Sequence, residues 1–380
     1  MRKKIYGILA GTVLMAACLA GCNSAKPDAQ KLPEQGSVVS SASEKQADGQ
    51  NVQKRAEELA GQKVLTFGDF SLTMDQMMFW LYSEEKEAAQ YDYMYQMYYG
   101  TSYMDLTHPQ AGISMREFHK EYVLNSAKQY AILYQEALKN GITLSEEEIA
   151  ENEAFVNSFF ELLSVSELEK GGFTREVLRQ VADIMTYAEK YYNFMIEKFS
   201  IQEEDVISSV NKEEYKEYET EYLFLSTVSY DENSKLVERT AEEKAEDYAY
   251  MEGLLEKLKG GSTMAELQAA ETESVLTYTG KTFLANTADV EPAYVEAAAK
   301  LVNGEYSGIV ETKYGYYIIR MVNDSCTTSY EAALDEAYGA MVDELFAKEY
   351  AKLEETYAPV VNEEVWNAVT FGNYVIDAEK

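Results

Sequence analysis

The chain has 380 residues and a formal net charge of -33, from 33 basic and 66 acidic side chains. This charge excludes nucleic acid as a partner, because phosphate binding needs a cationic surface. The length is sufficient for two or three domains with buried apolar cores.

The first 22 residues are typical of an export signal. Three basic residues at positions 2–4 precede an apolar run that ends in Leu-Ala-Gly-Cys at Cys22. This ending resembles a bacterial lipobox, which implies cleavage before Cys22 and lipidation of its thiol. An ordinary secretion signal with a chance cysteine is the alternative. We therefore expect a lipid anchor on Cys22 at the extracytoplasmic face of the cell membrane.

Cysteine usage limits the covalent cross-links of the mature chain. Cys18 leaves with the signal residues before Cys22, and Cys22 carries the lipid, so Cys326 alone remains free. The sequence therefore predicts no intramolecular disulfide, and stability must come from packing.

Residues 23–55 are rich in Ser, Gln, Gly, Asp and Ala and have no apolar period. Such a composition predicts a flexible tether, and about 30 such residues reach on the order of 30 Å.

Residues 56–217 show a helical pattern and are predicted to form one helical domain. A helix is expected to begin near Met74, and Gly171-Gly172 separates two later helices. Three Ser-x-x-Glu capping boxes predict further helix starts, at Ser114, Ser145 and Ser200. Asn140-Gly141 is a predicted helix stop.

Residues 218–324 change to mixed strands and helices, which predicts a small α/β domain. Strands are expected at Tyr218–Ser226, near 274–279 and from Tyr314. Helices are expected after Thr240, after Thr263 and from Pro292. Residues 325–380 contain a long helix from Ser329 and a tail, which we expect to pack on the helical domain.

The most specific segment is LVNGEYSGIVETKYGYYIIRM, Leu301 to Met321. Within it, Tyr316 and Ile318 alternate with Tyr317 and Ile319, the period-2 spacing of a strand. The segment closely resembles the end of parvulin-type peptidyl-prolyl isomerase domains in its Gly-Glu pair, its Val-x-Thr and its aromatic-Gly-aromatic strand. Nearly the whole mature chain resembles the PrsA-type foldase lipoproteins, most strongly in its last third, with a helical region similar to that of SurA-type chaperones.

The resemblance implies an α+β fold, with a SurA-like helical chaperone domain and a parvulin-like domain built on a four-stranded antiparallel sheet. It implies a membrane-anchored foldase for unfolded exported polypeptides, which needs no cofactor or metal. It also implies a set of substrate-binding residues, namely Val290, Tyr294, Thr312, Tyr314 and Phe283.

The sequence departs from the family at both catalytic histidines. Tyr222 and Tyr317 stand at those positions, and the acidic partner has no clear equivalent, although Glu273 and Glu271 are nearby candidates. A tyrosine pair retains packing and one hydrogen bond but lacks the two nitrogens of each imidazole. We therefore assign Tyr222, Tyr317 and Glu273 to the catalytic positions and expect weak or lost isomerase activity.

A holding chaperone without catalysis is the alternative function. The segment YDYMYQMYYGTSYM, Tyr91 to Met104, consists mainly of tyrosine and methionine, which form adaptable surfaces for apolar partners. The same composition also suits the core of the helical domain, and the sequence leaves both interpretations open. A solute-binding lipoprotein would need two wound α/β lobes, whereas the sequence predicts one small α/β unit.

His108 and His119 are the only histidines, and their spacing matches no metal-binding motif. We expect a surface or locally bonded side chain, rather than a metal ligand, at both positions.

Overall fold

The computed structural model describes residues 58–230, 232, 235–271 and 276–373. The predicted signal, the whole predicted tether and the lipid site at Cys22 lie outside this range. The chain divides into two units. The helical unit contains the residues up to Ser200 together with those from Val342 onwards, and the sheet unit is Ile201–Met341. The sheet unit encloses the range 218–324 that the sequence assigns to the α/β domain.

The helical unit is built around one apolar core. Its helices are α1 (Met74–Tyr99), α2 (Met115–Lys139), α3 (Glu146–Leu162), α4 (Val165–Gly171), α5 (Arg175–Ile196), the second half of α10 (Thr328–Tyr357) and α11 (Glu363–Asn367). Three short strands, β1 (Lys63–Phe67), β2 (Phe70–Thr73) and β9 (Val360–Val361), form an antiparallel sheet in the order β2-β1-β9. Trp80 of α1 stacks on Tyr130 of α2 with ring centroids 5.9 Å apart, which joins two helices inside the core.

Local capping chemistry sets most helix starts. Ser114 and Ser145 begin α2 and α3 with complete capping boxes, as predicted. The predicted box at Ser200 is wrong, because the next helix, α6 (Glu203–Ser209), has Gln202 at its N-cap. Its first turn holds three acidic residues, which oppose the positive end of the helix dipole without a capping serine.

The sheet unit has a four-stranded antiparallel sheet in the order β6-β3-β8-β7. Its strands are β3 (Glu217–Ser226), β6 (Leu276–Leu284), β7 (Tyr306–Thr312) and β8 (Gly315–Cys326). A two-stranded hairpin, β4 (Val228–Tyr230) with β5 (Leu236–Glu238), follows β3. The helices are α6, α7 (Ala241–Lys259), α8 (Met264–Ala269), α9 (Pro292–Ala298) and the first half of α10.

The sheet carries a separate apolar core on each face. Residues of α7 and α8 pack with Leu223 and Ile318 on one face. Residues of α9 pack with Ile319 and Met321 on the other. The predicted α+β class, with a helical region and a four-stranded antiparallel sheet, is confirmed. Among the helices of the described ranges, none combines the length and the apolar character that crossing a bilayer requires.

Candidate functional site

Strand β8 presents its side chains alternately to the two cores, as its sequence predicts. Tyr316 and Ile318 face one core, and Tyr317 and Ile319 face the other. Gly315 begins the strand with φ 153°, and a Cβ at this position would overlap the carbonyl oxygen of Leu225. Glycine is therefore required where β8 closes on β3.

Three tyrosine rings meet on the α9 face of the sheet. The centroid of Tyr317 lies 5.2 Å from that of Tyr222 and 5.2 Å from that of Tyr294, and Tyr222 lies 5.6 Å from Tyr294. All three contacts are edge-to-face, the arrangement that the ring quadrupoles favour. Phe224 packs on Tyr317 at 4.5 Å. The two positions at which the resemblance implies histidines thus belong to one aromatic cluster.

The hydroxyl groups of Tyr294 and Thr220 form a hydrogen-bonded chain that ends on a backbone carbonyl. The Thr220 hydroxyl donates to the carbonyl oxygen of Lys281 at 3.0 Å and lies 2.9 Å from the Tyr294 hydroxyl. Since the single Thr220 proton is used, the Tyr294 hydroxyl donates to the Thr220 oxygen. Tyr294 is only 2 % exposed, so this bond prevents the cost of a buried, unsatisfied hydroxyl.

The cluster forms one wall of a cleft of about 250 Å³. Its lining consists of residues from β3, β6 and β8, the turn before β8, and the start of α9 with its preceding loop, namely Tyr222, Lys281, Asp289, Val290, Glu291, Tyr294, Tyr314 and Tyr317. Five of these were predicted site residues: Tyr222, Val290, Tyr294, Tyr314 and Tyr317. The structure therefore brings most of the predicted site together in one place.

Two predicted residues lie beside the cleft rather than in its lining. Phe283 is buried behind Tyr294, with ring centroids 5.6 Å apart. Thr312 donates its hydroxyl proton to the carbonyl of Gly315 and accepts from the amide of Tyr314, so it holds the turn before β8.

The acidic partner remains a prediction. Glu273 lies outside the described residues. The alternative candidate Glu271 accepts a hydrogen bond from the Tyr250 hydroxyl on α7.

Lys281, Asp289 and Glu291 line the cleft but were not predicted. The position of Lys281 was predictable from the alternation of side chains along β6. Leu276 and Tyr278 pack in the opposite core, so the odd-numbered residues of this strand face the cleft. The loop before α9 offered no periodic signal. Glu291 forms an ion pair with Lys313 at 3.1 Å.

The three clustered phenols, Tyr222, Tyr294 and Tyr317, are neutral at physiological pH. Burial, together with the neighbouring Tyr222 and Glu291, raises the pKa of Tyr317 to about 12. Burial also raises the pKa of Tyr222 and that of Tyr294. The described lining therefore combines an aromatic wall of protonated hydroxyls with Lys281, Asp289 and Glu291, and it contains no imidazole.

A second candidate surface lies on the helical unit, at the C-terminal end of α1. Six of its large apolar residues are exposed, and we call them the Tyr/Met face: Tyr91, Tyr93, Met94, Met97, Tyr98 and Tyr99. Tyr93 and Tyr98 are each 70 % exposed and Met97 is 56 % exposed. The interpretation of this segment as core is wrong for these six side chains, although Met104 is buried.

Both histidines are locally bonded, as expected. The Nδ1 of His108 accepts from the amide of Ala111 at 3.1 Å, and its ring stacks on Phe118. The Nδ1 of His119 lies 2.6 Å from the Glu84 carboxylate.

Comparisons with known proteins place these features in context. The model of the PPIC-type PPIASE domain family matches residues 188–337. Foldase protein PrsA 2 of Listeria innocua serovar 6a is 29 % identical over 154 residues, which cover 39 % of this chain and 47 % of that relative. The match thus spans about half of the relative's length.

Solved structures of two further proteins are similar to parts of this chain. Foldase protein PrsA of Lactococcus lactis shares 14 % identity, with coverage of 80 % of this chain and 96 % of that one, at a TM-score of 0.27. A structure described among SurA-like chaperones of Campylobacter jejuni shares 12 %, with coverage of 77 % and 96 %, at a TM-score of 0.26. TM-scores this low do not establish a common overall arrangement.

Proposed function

We propose that the chain acts as a PrsA-type foldase that assists the folding of exported polypeptides, with a PPIC-type PPIase domain in residues 188–337. The observation that carries the proposal is the aromatic cleft beside α9. Uncatalysed prolyl isomerisation takes tens to hundreds of seconds, so even a modest catalyst accelerates the folding of such clients.

In the proposed reaction, the proline ring of the client enters the slot formed by Val290 and Tyr294. Rotation about the prolyl bond passes through a twisted amide, at a barrier of about 18–20 kcal/mol. A twisted amide loses the resonance that makes its oxygen strongly polar. Rings of low polarity, here Tyr222 and Tyr317, therefore favour the twisted form over the planar form, which lowers the barrier.

We expect this activity to be weak. Tyr222 and Tyr317 meet ring to ring, and the hydroxyl chain from Tyr294 ends on the backbone carbonyl of Lys281. The positions where the family resemblance implies a pair of imidazoles are thus occupied by two phenol rings in edge-to-face contact. Phe283 and Thr312 support the slot from behind in this proposal.

A protease-coupled isomerisation assay on prolyl peptides tests the proposal. We expect a small acceleration that stays constant from about pH 6 to about pH 9, because the phenol pKa values lie above this range. Tyr317→Leu should remove the acceleration. Tyr316→Leu is the matched control, because the neighbouring residue on β8 faces the opposite core.

Two results would contradict this function. No acceleration by folded wild-type protein would restrict the function to holding. A bell-shaped pH profile centred near neutral pH would mean that groups other than these tyrosines act.

A second function, holding unfolded clients, is favoured by the Tyr/Met face. Six exposed apolar side chains on two turns of helix provide a surface for apolar segments of a client. Methionine adapts to varied partners, and tyrosine offers a large contact area with few rotamers. In this proposal the helical unit slows aggregation while the cleft acts on prolyl bonds.

We further propose that the protein works outside the cytoplasm, attached to the membrane by a lipid on Cys22. The proposal depends on the lipobox-like ending at Cys22 and on the tether predicted for residues 23–55. Its partners are then the membrane and incompletely folded exported chains.

A further inference from the structure

The Tyr/Met face differs from the remainder of the chain in its charge. From Ala88 to Met104 the sequence contains one charged residue, Asp92, in a chain of net charge -33. Asp92 is buried, and its carboxylate accepts from the Gln96 side chain at 2.6 Å and from the Ser102 hydroxyl at 2.6 Å. The exposed side chains of this helix end are therefore uncharged.

The rings of this segment are partly ordered by one another. Tyr95 packs against Tyr99 with centroids 5.3 Å apart and against Tyr103 at 5.5 Å, and Tyr91 packs against Tyr103 at 5.6 Å. A partner that binds here therefore meets a surface that is partly preorganised, which lowers the entropy lost on binding.

The net negative charge of the chain favours cationic partners over anionic ones. A net charge of -33 repels anionic surfaces and other copies of the same chain, whereas it attracts cationic segments over long range. At the face itself, tyrosine rings attract ammonium and guanidinium groups through their quadrupoles. The same helix already holds such a pair, with the Lys86 ammonium 5.7 Å from the centroid of Tyr82.

We propose that the Tyr/Met face binds unfolded segments in which apolar residues alternate with lysine or arginine, in preference to apolar segments with acidic residues. This inference rests on the proposed holding function and adds its client class. The apolar residues of the client pack on the methionines, its cationic side chains lie over tyrosine rings, and the acidic surroundings raise the encounter rate.

Fluorescence anisotropy with two peptides of identical apolar sequence tests the inference, one with lysines and one with glutamates at the intervening positions. We expect wild-type protein to bind the lysine peptide about tenfold more tightly at low salt. Added salt should reduce this ratio, because it screens the long-range attraction.

Two variants locate the binding surface. Tyr93→Gln with Met97→Gln and Tyr98→Gln should abolish binding of the lysine peptide, while glutamine keeps the helix propensity of α1. Leu162→Gln with Val165→Gln is the matched control, because Leu162 is 79 % exposed and Val165 71 % exposed in the same unit. This control should bind like the wild type, and circular dichroism should show both variants folded.

The outcomes separate this inference from the holding function. Equal affinity for both peptides, with suppressed aggregation of an unfolded client, overturns the charge preference and leaves holding intact. If the protein binds neither peptide and does not suppress aggregation, the holding function itself is overturned. A wild-type dimer that the triple variant dissociates, or binding of anionic vesicles that the triple variant loses, would assign the face to a second copy or to lipid.

Discussion

Tyr222 and Tyr317 are diagonal neighbours on adjacent strands, since Tyr222 pairs with Ile319 and Tyr317 pairs with Phe224. We expect the single variants Tyr222→His and Tyr317→His each to lower the free energy of unfolding by about 1–3 kcal/mol, because each puts a polar imidazole into the half-buried aromatic cluster and leaves a void. The double variant should lose less than the sum, with a coupling energy of about 1 kcal/mol. Urea unfolding of the four proteins measures this coupling.

A matched double-mutant cycle, which serves as the control, uses Tyr316 in place of Tyr317. Tyr316 faces the opposite core, so Tyr222→His and Tyr316→His should be additive. Additive losses in the Tyr222–Tyr317 cycle as well would contradict the contact between their rings.

Single residues of the cleft were predictable where a motif placed them. The family resemblance implied Val290, just before the helix that begins at Pro292, and Tyr294 within it, and it implied Tyr317 from the glycine-containing strand. Asp289 and Glu291 were not predictable, because a loop without periodicity gives no indication of which side chains point inward. Their placement depends on how α9 packs across the sheet.

At the scale of elements, three helices of the helical unit meet at one buried carboxylate. Glu136 on α2 accepts from the Tyr191 hydroxyl on α5 at 3.1 Å and from the Tyr357 hydroxyl at the end of α10 at 2.9 Å. Burial alone would raise the pKa of Glu136, but hydrogen bonds from Lys139, Tyr357 and Tyr191 outweigh it and lower the pKa.

Glu136→Gln should therefore lower the free energy of unfolding at neutral pH by about 1–3 kcal/mol, because charge-assisted hydrogen bonds are lost. A carboxyl group with a depressed folded pKa stabilises the protein above its unfolded pKa, near 4.5, and this stabilisation is lost as pH falls through the folded value. The variant should accordingly lose less stability than the wild type between neutral pH and about pH 3. Urea unfolding at several pH values tests both expectations.

Glu153→Gln is the control for this experiment. Glu153 pairs with Arg179 at an exposed position, where solvent screens the ion pair. Its replacement should change stability little. If Glu136→Gln behaved like this control, the three-helix junction would contribute no measurable stability.

Helix starts were predictable at element scale because capping is local. The boxes at Ser114, Ser145, Thr240 and Thr263 all form as their sequences indicate, each within four residues. The exception, Ser200, has the residues of a box, but the helix begins only at Glu203. Alternative starts of similar energy are not distinguished by a four-residue motif.

At the scale of the whole molecule, the proposed lipid on Cys22 determines location. Cys22→Ala should move the protein from the membrane fraction to the soluble extracytoplasmic fraction, because a flexible tether alone has no affinity for a bilayer. Fractionation and mass spectrometry of the N-terminal peptide measure the change. Wild-type protein without lipid, retained on membranes equally with the variant, would contradict the anchor.

The sequence by itself determined the α+β class, the alternation of β8 and the aromatic residues of the cleft. Local periodicity predicts the alternation of β8, whereas the family resemblance implies the α+β class and the aromatic residues of the cleft; β8 begins at Gly315, where φ 153° suits only glycine. Only the tertiary structure decided that the tyrosines and methionines from Tyr91 to Tyr99 stay largely exposed and that Asp289 and Glu291 line the cleft. A segment with apolar residues on all sides has no preferred buried face, so its exposure depends on which elements pack against it.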